Sequence, residues 1–400
     1  MGGMNGTGTG PGRIVVAGSV AQKPWHGGHT WVFLQYALGL KRLGWEVLLL
    51  DRLAPTMCAD EGGHACPAEE SWNLRYAGRV MQRFGLEREY AVILEDEDGG
   101  PRGTHGLERG EILDRIRGAE LLLNVMGFLD DEELLGAARR RVFLDIDPGF
   151  GQMWHALGWA DPFAGHDDFV TIGRNVGRPE CTIPDCGKRW ITTNQPIVLE
   201  HWPPAGPSDG PFTSIGTWRG RYDPIEYGGE RYGLRVHAFR DFAPLPRLSG
   251  EAFELALDID AVERADLALL EENGWALVDP RRAAADPWSY RDYIARSGAE
   301  FMVSKDAYVR SRSGWFSDRS ICYLASGRPV VAQDTGFDGW YPTGEGLLAF
   351  NDLEEATAAV DEISGDRRRH SVAARRVAEE CFDSDKVLPG LLDALGVEGA

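Results

Sequence analysis

The first apolar run, residues 13–18 (RIVVAG), is short and unbroken, as expected of a buried strand, and residues 45–51 (WEVLLLD) repeat the pattern. Between them, apolar residues recur at Trp31, Phe33, Leu34, Ala37, Leu40 and Leu43, a helical spacing closed by Gly44. Strand, helix and strand predict a βαβ unit, with the loop 19–30 at the strand end where such sheets receive ligands. Amphipathic helices are predicted over 71–84 and 108–117, followed by strands over 121–126, 141–147 and 169–173. A second series of strands is predicted at 211–216, 234–239, 275–279, 301–304, 329–332 and 347–350, and a helical pattern runs from 353 to 395. Strands alternating with helices imply an α/β protein with parallel, doubly wound sheets.

Four hundred residues allow two such units, each with its own core. The break falls at 195–210, which holds four prolines and two glycines. The expected organisation is a Gly-rich, disordered tail over 1–12, one domain over 13–195, a linker over 196–210 and a second domain over 211–380. Thirteen Trp and fifty Gly suit an enzyme with a cleft. The net charge of −20 argues against a nucleic-acid or anionic-membrane partner, because phosphate-rich surfaces need a basic face, although a local basic pocket remains compatible with it. Six cysteines are too few for a disulfide framework, and neither Cys181/Cys186 nor His64/Cys66 matches a common zinc spacing, so no metal is predicted. No run is long and apolar enough to span a bilayer and no leader pattern is present, so a cytoplasmic protein is expected.

Residues 311–336 (SRSGWFSDRSICYLASGRPVVAQDTG) combine a Gly/Ser/Trp loop, a short helix ending at Gly327, an apolar strand and a polar loop. Such a succession either packs an ordinary αβ unit closely or presents backbone N–H groups and hydroxyls to a bound anion.

At this point the layout resembles the GT-B glycosyltransferases. Their two Rossmann-like domains face each other across a cleft, the C-terminal one holding a nucleotide sugar and the N-terminal one mostly the acceptor. His26-Gly27-Gly28 resembles the Gly-Gly loop of the retaining group, which reaches the donor phosphates. Residues 214–220 (SIGTWRG) resemble the strand-end "VGR…K" segment, and residues 323–331 (YLASGRPVV) the donor-domain "EAMACGTPVV" segment. Residues 382–395 resemble the last helix, which implies that 381–400 packs back on the N-terminal domain. One departure is clear: the paired glutamates of many retaining members would fall at Gly314 and Cys322, neither of them acidic.

The resemblance implies a metal-independent transfer of a sugar from a nucleotide sugar, such as a UDP-sugar, to a hydroxyl or amine of a small molecule, with secondary metabolism the expected setting. The nucleotide sugar is then a co-substrate, and no cofactor is expected. Charge building on the departing diphosphate needs neutralising, and Arg219, Arg221 and Lys305 follow strand ends that should open on the cleft. Gly27, Gly28, Gly216 and Thr217 line the donor path, with Ser317, Asp318, Arg319 and Ser320 at the start of the helix. Asp334 and Thr335 are candidates for sugar hydroxyls, and Trp218 or Trp315 for stacking. His26 and Asp147 are the candidate bases, with His29 and His155 near the acceptor. A sugar-nucleotide epimerase and a non-catalytic nucleotide- or glycan-binding protein are the alternatives. A dehydrogenase is disfavoured, since no G-x-G-x-x-G follows the first strand.

Overall fold

The computed structural model describes residues 12–220 and 223–397, so the tail predicted at 1–12 lies outside the described residues except for Gly12. The N-terminal sheet is built from β1 (Arg13–Ala17), β2 (Glu46–Leu53), β3 (Tyr90–Glu95), β4 (Pro101–His105), β5 (Ala119–Val125), β6 (Arg141–Asp145), β7 (Asp168–Thr171) and β8 (Trp190–Thr192). Their order is β4-β3-β2-β1-β5-β6-β7-β8, parallel throughout except where β4 pairs with β3. The C-terminal sheet takes β9 (Phe212–Thr217) as its first strand. A separate hairpin of β10 (Ile225–Tyr227) and β11 (Glu230–Tyr232) follows. The sheet then adds β12 (Phe253–Asp258), β13 (Trp275–Val278), β14 (Ala299–Met302), β15 (Val330–Gln333) and β16 (Leu347–Phe350), in the order β13-β12-β9-β14-β15-β16. The central strands read as continuous apolar runs because helices cover both faces of each sheet. In both sheets the strand order reverses beside the first strand, between β1 and β5 and between β9 and β14. At such a switch point the crossovers diverge and leave a crevice.

One predicted element changes, and some strands go unpredicted. Residues 234–239 alternate apolar and polar side chains and so predict a strand, yet they form the helix Arg235–Phe239. Val236 and Phe239 are three apart and both enter the core, and His237 Nδ1 accepts the Leu234 N–H at 3.1 Å. Tertiary packing here overrides the period-two pattern. Conversely, β12 sits between β13 and β9 at the heart of the second sheet, and β3 pairs with β2, although neither is predicted from the sequence.

The domains are fastened to each other at several points. The helix Gly27–Arg42 is apolar on nearly all sides because it lies between its own sheet and the other domain. It begins four residues before the periodic pattern does. The Gly27 N–H donates to the Ala284 carbonyl at 2.8 Å, and Trp31 Nε1 donates to the Pro287 carbonyl at 2.8 Å. A Cβ at Gly27 would overlap the Asp286 carbonyl, and one at Gly28 would lie 2.7 Å from the Tyr290 ring. Glycines are poor helix formers, and here they start the helix because only they allow this approach. The last helix, Ser384–Ala394, crosses back and packs Leu388 against Gly39 of the first helix. On the opposite side Asn175 is clamped by the second domain: its Nδ2 donates to the carbonyls of Arg312 and Gly336 at 3.0 and 3.2 Å, and its Oδ1 accepts Trp340 Nε1 at 2.8 Å. Among the described residues no helix is long and apolar enough to cross a membrane.

Candidate functional site

The C-terminal ends of the two sheets face each other across a cleft of about 600 Å³, continued by a second lobe of about 500 Å³. His29, Gly216, Thr217, Asp318 and Arg319 line both lobes and form the waist between them. Each comes from a strand end or a helix start, positions that a doubly wound sheet turns toward its crevice.

Four cations line the main lobe from the C-terminal side, and they differ in what already binds them. Arg219 is held bidentate by Glu263, with Nη2 to Oε2 at 2.9 Å, and remains half-exposed. Arg319 pairs with Glu300, a fully buried carboxylate on β14, and its Nη1 donates to the Ile215 carbonyl at 2.7 Å. Burial alone would lower its pKa, but the neighbouring carboxylate holds it above its ordinary value. Lys305 Nζ reaches across the cleft to Asp147 Oδ2 at 2.6 Å. Arg235 is the exception, because among the described residues no carboxylate pairs with it. Its Nη2 lies 3.3 Å from Ser214 Oγ, and its guanidinium lies so close to Gly216 that a Cβ there would overlap it. Burial, then the charge of Arg319, push the Arg235 pKa down to about 9, with Glu300 opposing. The sequence reading missed this residue because it placed Arg235 in a strand.

The stretch at 311–336 divides in two. Ser317 caps the helix Asp318–Ala325, its Oγ accepting the Arg319 N–H at 3.2 Å. Ser317 and Asp318 both line the cleft, and burial pushes the Asp318 carboxyl above its ordinary value. Trp315 also lines it, stacked on Tyr308 with ring centres 4.2 Å apart. The others support this edge from behind. Thr335 Oγ1 donates to the Trp315 carbonyl at 2.5 Å, and Asp334 accepts the N–H groups of Gly336 and Phe337. Ser320 is fully buried on the far side of the helix. Gly314 takes φ 68° against Asn175, which would lie 2.9 Å from a Cβ, so a glutamate here would break the domain contact. Trp218 points into the core and donates Nε1 to Asp266 at 2.8 Å rather than facing a ligand. Arg221 lies outside the described residues.

On the N-terminal wall, His26 is exposed in the second lobe with Nδ1 2.9 Å from the Pro24 carbonyl, beside Gly27 and Gly28. His29 stands at the waist, its Nε2 2.7 Å from Ser19 Oγ. Asp147 lies in the main lobe, so the two candidate bases sit in different lobes. His155 is paired with Asp161 at 3.1 Å and turns away from the cleft lining. Tyr308, also unnoticed in the sequence, donates its hydroxyl to Asp147 alongside Lys305. Among the described residues no group of three or more His, Cys, Asp or Glu is placed to hold a metal ion.

Beneath Asp147, the buried Asp145 accepts Gln152 Nε2 at 2.7 Å, Thr171 Oγ1 at 2.9 Å and the Asp147 N–H at 3.0 Å, which orients the strand end. Burial pushes its carboxyl up to about 6, with the three donors pulling the other way. The folded chain then keeps this proton where the unfolded chain, near 3.8, has released it. Its contribution to stability is complete below the unfolded value and is lost as pH rises through about 6. The difference in melting temperature between the wild type and Asp145→Asn should therefore shift against the wild type between about pH 4 and pH 6.5 and stay level above that. A difference that is flat across this range would show that Asp145 is ionised throughout.

This architecture is the GT-B fold, with two Rossmann-like domains across a cleft and a last helix that returns to the first domain. No protein-family model matches the sequence, and no curated protein sequence does. Solved structures are similar over the whole chain. An alpha-glucosyltransferase in complex with UDP and a 13-mer DNA is 13% identical, with a TM-score of 0.56 over 96% of this chain and 100% of that one. Anabaena HepE in complex with UDP-glucose is 11% identical, with a TM-score of 0.56 over 96% and 99%. AviGT4, a glycosyltransferase involved in avilamycin A biosynthesis, is 13% identical, with a TM-score of 0.52 over 96% and 97%. At such identities the likeness establishes the fold.

Proposed function

We propose that this chain is a glycosyltransferase that moves a sugar from a nucleotide sugar, UDP-linked, to a hydroxyl or amine of a small-molecule acceptor, without a bound metal or cofactor. The observation that carries this reading is Arg235, a desolvated guanidinium open to the cleft with no carboxylate of its own. A half-buried, partly desolvated cation without an ion-pair partner is costly unless an anion arrives to pair with it, and a diphosphate is such an anion. Arg319 and the first turn of the helix Asp318–Ala325 add to the same field. The diphosphate is assigned to the waist, with the sugar toward Asp147 and the nucleoside toward the second lobe.

Departure of the diphosphate is assisted by this preorganised positive field, which acts on charge as it develops. Lys305 joins it once it exchanges Asp147 for a phosphate oxygen. The freed Asp147 carboxylate then faces the acceptor and takes its proton, with His29 at the waist the alternative base. UDP as the nucleotide is supported by the similar structures solved with UDP and UDP-glucose. An acceptor from natural-product chemistry is supported by the likeness to AviGT4.

A thermal-shift panel of UDP-, GDP-, ADP- and dTDP-sugars tests this reading. A donor at a hundredfold excess over its dissociation constant stabilises the fold by about 2.7 kcal/mol. UDP-sugars should raise the melting temperature and, with acceptor, release UDP. A panel in which no nucleotide sugar shifts the melt overturns the donor assignment.

A further inference from the structure

We propose that the N-terminal lobe of the cleft is an acceptor subsite for a flat, apolar, hydroxyl-bearing ring system, and not for a saccharide or a nucleic acid. The inference rests on the glycosyl-transfer reading and names its second substrate.

The lobe is walled by Val32, Met126, Phe128, Ile146, Phe150 and Trp154. Met126, Phe128 and Ile146 are only half-buried and line the cleft, so apolar surface is open toward it. The polar groups on the same wall are engaged within the protein. Asp145 takes three donors, and Gln152 bridges Asp145 and the Gly149 N–H at 2.7 and 2.8 Å. Asp147 takes Lys305 and Tyr308, and His29 is bonded to Ser19. A saccharide brings a hydroxyl on almost every carbon, and each one buried here without a partner would be penalised. A flat ring instead covers aromatic and thioether surface and needs a polar partner only at its reacting hydroxyl. Asp147, once exchanged from Lys305, supplies that partner.

The backbone is consistent with a purpose-built wall. Met126 has φ 52° although it is not glycine, and Gly127 follows at φ 68°. This sparsely populated conformation at the end of β5 places the Met126 thioether on the lobe, where its sulfur also accepts the Ile146 N–H at 3.2 Å. Nucleic acid is disfavoured by the chain's net charge of −20, since a phosphodiester track needs a basic path beside the cleft. The main lobe, at about 600 Å³, has room for a small ring system beside a donor sugar.

Equilibrium binding to the full chain at saturating UDP tests this with three probes: the fluorescent phenol methylumbelliferone, maltose and a short DNA duplex. The phenol should bind, and maltose and DNA should not. Phe128→Ala and Trp154→Ala should each weaken the phenol by about tenfold or more while the dissociation constant for UDP moves by less than about twofold. If Phe128→Ala fails to fold, Trp154→Gln, on the more open helix Phe150–Ala156, is read in its place. Maltose or DNA binding more tightly than the phenol overturns the proposal, as does a phenol that fails to bind while UDP binds. Loss of UDP affinity in the folded variants also overturns it, because the wall would then belong to the donor. Failure of UDP to bind the wild type overturns the donor reading instead. In that case phenol binding that depends on Phe128 and Trp154 still upholds the lobe.

Discussion

Replacing Arg235 by methionine should cost UDP about ten- to a hundredfold in affinity, the worth of one charge-assisted phosphate contact at about 1.5–3 kcal/mol. The same substitution should raise the melting temperature of the unliganded chain. The two effects share a cause: burial and the charge of Arg319 push the Arg235 pKa down to about 9 against the weaker pull of Glu300, and among the described residues no carboxylate forms an ion pair with it. An apolar side chain of similar length removes that penalty and the anion's partner together. Arg319→Met should behave in the opposite way and destabilise by about 3–5 kcal/mol, because Glu300 would be left buried and unpaired. Arg219→Met should change neither quantity much, since its guanidinium is half-exposed and already held by Glu263. Calorimetric titration of UDP and thermal melts on the three variants check the set. An Arg235→Met protein that binds UDP as the wild type does would remove this residue from the donor site.

The contrast among these arginines marks what the sequence makes legible. Two parallel α/β units with a cleft between them follow from the alternation of short apolar runs with helical periods, because parallel strands covered on both faces have few other ways to read. Lys305, Asp147, Ser317 and Asp318 could be placed at the cleft because each follows a strand or opens a helix, and the topology turns those positions toward the crevice. What the sequence does not carry is the partner of each charge. Arg219 sits where the resemblance put a phosphate ligand, yet Glu263, 44 positions later, occupies it. Arg235 escaped notice because alternating apolar and polar residues over 234–239 imitate a strand. Gly27 and Gly28 read as a phosphate loop, and they do line the second lobe, yet what demands glycine there is the backbone of the other domain. Asp334 and Thr335 likewise lie at a strand end, but Asp334 accepts the N–H groups of its own turn and Thr335 donates to the Trp315 carbonyl. The pairing of Arg219 with Glu263 and the approach of the other domain to Gly27 and Gly28 are long-range, and no local pattern encodes them.

Asp147→Asn should separate binding from turnover. The Asp147 carboxylate accepts Lys305 at 2.6 Å and the Tyr308 hydroxyl, so one anion from the N-terminal domain occupies the ammonium that a diphosphate would seek. Donor binding must therefore displace a carboxylate, and that competition subtracts from UDP affinity. Asparagine keeps the size and one acceptor but carries no charge, so Lys305 is released to the phosphate at lower cost and UDP should bind more tightly than to the wild type. The displaced carboxylate is also the group assigned to take the acceptor's proton, which an amide cannot do, so turnover should fall by about 10²–10⁴-fold. Tighter UDP with slower transfer is the joint signature, read by calorimetry and by single-turnover UDP release. A variant that turns over normally would make Asp147 a clasp between the domains and nothing more. Weaker UDP binding would mean that the carboxylate orients Lys305 for the phosphate instead of competing with it. The exchange predicted here makes the base available only once the donor's charge has taken its place on Lys305, so a donor-free enzyme would hold its acceptor-side carboxylate out of use.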